Sequence, residues 1–168
     1  MDAFSLVREA TGRWLGRGLW QGLAVVALVA SAASLTGCAS KPVVSQIKLS
    51  VAAGSDVNPD ARNRPSPITV RVYALKSAAA FEAADFFSLF EKDAAILGAD
   101  MVQREELLMR PGDSKPLEMK LPPEAKALAV FAAFRDLERA RWRAVRVIDV
   151  GKEVSLQIKV AARQVSIE

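Results

Sequence analysis

Histidine is absent from all 168 residues, and cysteine occurs once, at position 38. Without histidine the chain lacks the usual general base at neutral pH and the commonest metal ligand. No Ser/His/Asp or Cys/His constellation can form. A single cysteine excludes an internal disulfide, a CxxC redox pair and a cysteine-based zinc site. Gly54 and Gly98 each stand alone, so no glycine-rich loop is present to cradle a phosphate. Charge of one sign is barely in excess: 23 Lys+Arg against 19 Asp+Glu give +4, which implies no nucleic-acid partner. Asp56 and Asp60 lack the ligand spacing and the glycine of an EF-hand loop. Glu105 and Glu106 are neighbours that point apart on a strand, so they read as solvated charge rather than an acid–base pair. No residue is marked for Ser–Lys catalysis either. These absences point away from an enzyme and from a metal protein. What remains is 51% hydrophobic and 25% charged, the balance of a globular chain of about one domain.

The N-terminal region has its own layout. Arg8, Arg13 and Arg17 precede an uncharged run from Leu19 to Leu35 that ends in alanine and serine. A basic flank, an apolar run and small residues make a signal peptide. The charged stretch is long for a signal, which allows a start downstream of Met1. Leu35-Thr36-Gly37-Cys38 resembles the bacterial lipobox, with an apolar residue three positions before the thiol and small residues between. The expectation is that residues 1–37 are removed and Cys38 carries acyl lipid, the one covalent group expected in place of a cofactor. The competing reading, an uncleaved anchor with an incidental cysteine, needs neither the Gly-Cys pair nor this spacing. Cleavage leaves 131 residues, 168 less the first 37. Each buried methylene contributes about 0.8 kcal/mol, so two or three acyl chains hold a protein on a membrane where one does not. Residues 38–45 then read as a lipidated tether and 46–168 as the folded domain.

That domain reads mainly as strands. Ile47, Leu49 and Val51 alternate with Lys48 and Ser50; Ile68, Val70 and Val72 alternate with Thr69, Arg71 and Tyr73; Leu156, Ile158 and Val160 alternate with Gln157 and Lys159. Period two marks half-buried antiparallel strands. Lys126–Phe134 is apolar on both faces and predicts a central strand. Leu117, Met119 and Leu121 predict a shorter one. The imperfect alternation from Trp142 to Ile148 suggests a bulge. Residues 101–110 fit strand or helix. An alanine-rich run after Ser77 predicts a helix, with Ala83, Phe86, Leu89 and Phe90 as its apolar stripe. Asp93 and Gly98 are placed to cap a second short helix. A two-sheet β-sandwich with a helical insertion at about 77–98 accounts for the pattern.

Two polar segments stand apart. Gly54–Ser66 connects the first two strands with thirteen residues rich in Asp, Asn, Arg and Pro, longer than most such connections. It reads either as a tolerated surface loop or as a functional one. Arg135-Asp136 followed by Glu138-Arg139 and Arg141 is a dense charge cluster, suited to pairing across a turn or to the rim of an interface. Trp142 reads as core.

Asn58-Pro59-Asp60, Arg64-Pro65-Ser66-Pro67 running into Ile68–Leu75, Phe81 through Phe90, Leu97-Gly98-Ala99-Asp100, Pro111-Gly112 and Ala132–Asp136 with Trp142-Arg143 follow one another in this order. Together with the lipobox they resemble the type VI secretion outer-membrane lipoprotein family (TssJ, also called VasD or SciN) over nearly the whole chain. Asn63 stands where that pattern would have glycine; asparagine tolerates positive φ next best. The resemblance implies a transthyretin-like antiparallel β-sandwich, no enzymatic activity, and attachment to outer-membrane lipid facing the periplasm. It implies binding to the periplasmic C-terminal region of TssM, within the membrane complex that includes TssL. It also implies that the first inter-strand loop contacts that partner, through Asp56, Asn58, Pro59, Asp60, Arg62, Arg64 and Pro65. Pro59 and Pro65 would limit the loop's freedom and so its ordering cost. Excision of Asp56–Arg64 is expected to leave the sandwich stable. The alternative is a lipid-anchored carrier or sensor holding a small apolar ligand beneath Phe86–Phe90 or between the sheets.

Overall fold

Alternation of apolar and polar side chains builds both sheets of the computed structural model, which describes residues 45–149 and 154–168. The expected signal segment, Cys38 and the tether as far as Val44 lie outside the described residues. Strands β1 (Ser45–Ala53), β2 (Ile68–Leu75), β3 (Met101–Met109), β4 (Ser114–Leu121), β5 (Ala127–Ala132), β6 (Arg143–Val147), β7 (Val154–Val160) and β8 (Val165–Ile167) form two four-stranded sheets, ordered β4-β1-β7-β8 and β3-β2-β5-β6. Ile47, Leu49, Val51, Leu156, Ile158 and Val160 from one sheet meet Ile68, Val70, Val72, Leu128 and Val130 from the other in a common core. The mainly β sandwich read from the sequence is the observed fold. One pairing departs from the antiparallel expectation: β1 runs parallel to β7, with Leu49 opposite Leu156, while the other neighbouring pairs are antiparallel.

The segment 101–110 resolves as strand, because Leu107 and Met109 pack into the intersheet core on the same side as Val70 and Ile68. The expected bulge is not in β6, which keeps an unbroken register with β5 from Ala127↔Val147 to Phe131↔Arg143. Its irregular alternation reflects an edge position, with residues only half-buried or exposed. The irregularity lies between Ala74 and Leu75, where β2 pairs with β3.

All six residues of β5 are buried, because its faces are covered by different partners. Leu128 and Val130 face the opposing sheet, whereas Ala127, Ala129 and Phe131, with Tyr73 and Leu75 of β2, face the helices. Helix α1 (Ala79–Ala83) and helix α2 (Phe86–Leu97) are separated at Ala84–Asp85, where the sequence suggested one continuous run. Asp85 explains the restart: its carboxylate accepts from the Ser88 amide at 3.0 Å, an N-cap. Leu89 is the buried centre of the expected stripe, Phe86 is half-buried and Ala83 is exposed, while Phe81 supplies the other deep contact. The expected second cap is present in altered form. Lys92 leaves helical dihedrals, the Asp93 carboxylate accepts from the Ala94 amide at 2.8 Å, and Gly98 ends the segment at φ 48°.

Two arginines of the sheet hold these short helices. Arg71 donates through Nη1 to the carbonyl oxygens of Leu89 (3.2 Å) and Phe90 (2.9 Å), just before the break at Lys92, where helical donors run out. Its Nε donates to Glu106 at 2.7 Å, and Arg104 closes the group on both Glu106 and Asp93. Tyr73 donates its hydroxyl to buried Asp93 at 2.8 Å; burial, reinforced by that carboxylate, pushes the phenol pKa up. Arg143 does the same for α1, donating to Phe81 (3.2 Å) and Ala84 (2.8 Å). Glu106 is thus an ion-pair partner rather than a solvated charge. Beneath Phe86 the rings of Phe131 and Trp142 sit at 4.9 and 5.4 Å, filling the position considered for an apolar ligand.

Arg71 has only 11% of its side chain exposed, so its removal strands acceptors in a poorly hydrated place. Arg71→Met should lower the unfolding free energy by about 2–3 kcal/mol. Urea denaturation followed by tryptophan fluorescence measures this; a loss under about 0.5 kcal/mol would show that the helices do not depend on the pin.

Candidate functional site

Chain direction sorts the connections between the two ends of the sandwich. Ser45, where β1 begins, lies opposite Leu121, the last residue of β4, and Ile47 lies opposite Val154, the first of β7. Ala53 ends β1 opposite Val160, and the Gly54 amide donates to the Val160 carbonyl at 2.8 Å. The loops 54–67, 110–113, 133–142 and 161–164 therefore share the end remote from the start of β1.

The β1–β2 loop is a braced structure and not a slack connection. Val57 is fully buried in the intersheet core, and the Ser66 amide donates to its carbonyl at 3.0 Å. Asn58, at φ 50°, is only 3% exposed. Its amide donates to Ala162 (3.1 Å), its Nδ2 donates to the Pro67 carbonyl (2.9 Å), and its Oδ1 accepts from the Arg135 amide (2.9 Å). One residue, through its side chain and its backbone amide, thus ties three loops together. Further out, Asp60 closes the tip: Oδ1 accepts from the amides of Arg62 (2.8 Å) and Arg64 (2.9 Å), and Oδ2 from Arg64 Nε (2.8 Å). Hydrogen bonds from the Arg64 side chain and amide hold the Asp60 pKa down at about 2. Asn63 takes φ 58°, in keeping with asparagine replacing glycine there.

The seven residues singled out from the sequence therefore divide. Asp56, Arg62, Arg64 and Pro65 are exposed, with 69% of the Arg64 side chain accessible, and Pro59 is half-buried. Asn58 is buried and Asp60 is occupied internally, so both serve as braces. The expectation that Asp56–Arg64 is dispensable for the fold is corrected: excision would remove the Val57 core contact and all the Asn58 bonds. Sequence reading did not connect Arg163 with this site. Topology brings it there, where its Nε meets Asp136 Oδ2 at 3.2 Å. Pro59, Asp60, Ala61 and Asn63 face Arg135, Asp136, Glu138, Arg139 and Arg163 across an open cleft of about 640 Å³. A second cleft of about 320 Å³ shares Arg139 and Arg163 and adds Arg141 and Asp56. The region is polar and braced, suited to recognising a partner. Among the described residues no group of acidic side chains is arranged to hold a metal.

Residues 45–163 match the family described as "Type VI secretion lipoprotein, VasD, EvfM, TssJ". No curated protein matches the sequence. Among solved structures, the T6SS lipoprotein TssJ1 from Pseudomonas aeruginosa is 33% identical over 76% of this chain and 96% of its own, with a TM-score of 0.72. Lip from Serratia marcescens, described as a membrane-bound component of the type VI secretion system, is 26% identical over 75% of this chain and 97% of its own, at 0.70. A chain in a structure described as the T6SS protein TssM C-terminal domain from EAEC is 26% identical over 73% of this chain and 97% of its own, at 0.63.

The bracing of the loop by a carboxylate makes it acid-sensitive. A folded-state pKa of about 2 against the ordinary 3.8 means that Asp60 contributes stability above the ordinary value, lost as the pH falls toward 2. Glu106, lowered by Arg71 and Arg104, acts in the same direction. Asp60→Asn should lower the melting temperature at pH 7 and flatten its decline between pH 4 and pH 2. Calorimetric scans across that range check it; parallel profiles for the two proteins would remove Asp60 from the account.

Proposed function

The chain belongs to the type VI secretion lipoprotein family, and from that premise we propose that it is an outer-membrane anchor. Acyl chains on Cys38 hold it to lipid on the periplasmic face, and the remote end of its sandwich binds the periplasmic C-terminal region of TssM. It thereby links the outer membrane to the TssM–TssL membrane complex and works by docking, without a catalytic step. The observation that carries the reading is the braced β1–β2 loop at the end of the domain opposite the start of β1. The relative matched within a structure described by the TssM C-terminal domain supports the choice of partner. The seven residues of positions 38–44 reach at most about 25 Å when extended. On this reading the lipid and the partner engage opposite ends of the domain. Preorganisation of the loop by Asn58, Asp60 and the two prolines reduces the entropy lost on docking.

Arg62 is exposed and its side chain braces nothing, so a change there separates binding from folding. Arg62→Glu should weaken binding to the TssM C-terminal domain by roughly tenfold or more, a loss of about 1.4 kcal/mol or more. Its melting temperature should change by only a few degrees. Unchanged affinity in a titration calorimeter would move the contact elsewhere. Cys38→Ser should shift the protein from the membrane to the soluble periplasmic fraction; continued fractionation with the outer membrane would contradict the lipid tether.

A further inference from the structure

The four loops at the remote end carry seven arginines and no lysine, although the chain uses lysine elsewhere, as at Lys48, Lys120 and Lys159. Some of these arginines have internal work: Arg64 is held on Asp60, and Arg163 on Asp136. Arg135, Arg139 and Arg141 differ. All three are exposed and line the two adjoining clefts. Among the described residues, none of their guanidinium groups meets a carboxylate. Of the four carboxylates lining the clefts, Asp60 and Asp136 are taken up, so only Asp56 and Glu138 offset the three unpaired cations.

A neutral or apolar partner surface laid over this end would strip water from guanidinium groups and give nothing in return. A surface presenting carboxylates would answer each cation. Arginine in place of lysine fits that role, because its planar fork meets a carboxylate with two parallel hydrogen bonds. An anionic lipid headgroup is the less suitable source, since these loops lie at the end remote from the start of β1. We propose that Arg135, Arg139 and Arg141 form a carboxylate-reading clamp for an acidic segment of the docked partner polypeptide, seated between the 59–63 turn and the 135–141 loop. This rests on the docking reading above and adds to it the charge of the partner's surface and three residues outside the β1–β2 loop.

The test uses the full lipoprotein in detergent with the TssM C-terminal domain as probe, at roughly 50 and 300 mM NaCl. Wild-type affinity should fall about tenfold or more between the two salt concentrations. Arg135→Glu/Arg139→Glu/Arg141→Glu should lose about 100-fold at low salt while melting within a few degrees of wild type. Arg135→Lys/Arg139→Lys/Arg141→Lys, which keeps the charge and loses the fork, should lose about fivefold. Should the glutamate variant fail to fold, the lysine variant and the salt response decide. Wild-type binding that ignores salt, with affinity unchanged in the folded variants, overturns the clamp and leaves the docking reading standing. Absence of wild-type binding at both salt concentrations overturns both.

Discussion

The sheet containing β2 and β5 is apolar on both faces, and that one constraint organises the rest of the molecule. Val72 and Val130 require an opposing sheet, while Tyr73 and Phe131 require a second cover that the first sheet cannot supply. Two short helices provide it. Helices of five and twelve residues, the second interrupted at Lys92, are too brief to be stable from propensity alone. Burial of Phe81 and Leu89 supplies the driving force. Arg71 and Arg143, donating to helix-end carbonyls from the sheet, set where the helices stop and how they lie.

The same device recurs at the remote end with a different donor and acceptor. There Asn58 serves the backbone of three loops, and Asp60 collects the amides of Arg62 and Arg64. Both regions satisfy irregular backbone with a polar side chain in place of secondary structure. The consequence differs. At the helices it fixes a cover over the core, whereas at the loop it fixes the exposed positions of Arg62 and Pro65, leaving them free to meet something else. A long loop is ordinarily mobile and loses entropy on binding. This one is held by its own buried residues, so its shape is set before any partner arrives.

How much of this could be read in advance depended on whether the signal was local. Ile47/Leu49/Val51 and the doubly apolar 126–134 run declare their faces through spacing, and both are strands, the second over Ala127–Ala132. The parallel pairing of β1 with β7 did not, because period two states which face is buried but not which strand lies alongside. The helix break at Ala84–Asp85 was hidden by alanine, whose propensity extends any helical run, although Asp85 followed by Ser88 carries the cap. Asn58 differs from its sequence reading for a plainer reason. A polar residue beside proline in a long loop looks exposed, and only the approach of the Pro67 carbonyl and the Arg135 amide, from distant sequence, makes it a buried brace. Arg163 joined the site for the same non-local reason, through the β7–β8 turn.

The charge left at the remote end follows from the electrostatics of those braces. A carboxylate already paired with one cation has little left to neutralise another, and Asp60, which holds the Arg64 guanidinium with its pKa at about 2, is committed in this way. Asp136 is committed to Arg163. The folding requirements of the loops therefore consume acidic groups near Arg135, Arg139 and Arg141 and leave cationic charge uncompensated at the surface. In a free domain this is inexpensive, because water solvates exposed guanidinium groups well. On the docking reading proposed above it becomes a selection rule. On that reading the brace that preshapes the loop also biases the end of the domain toward a negatively charged partner, so shape and charge specificity would arise from the same few side chains.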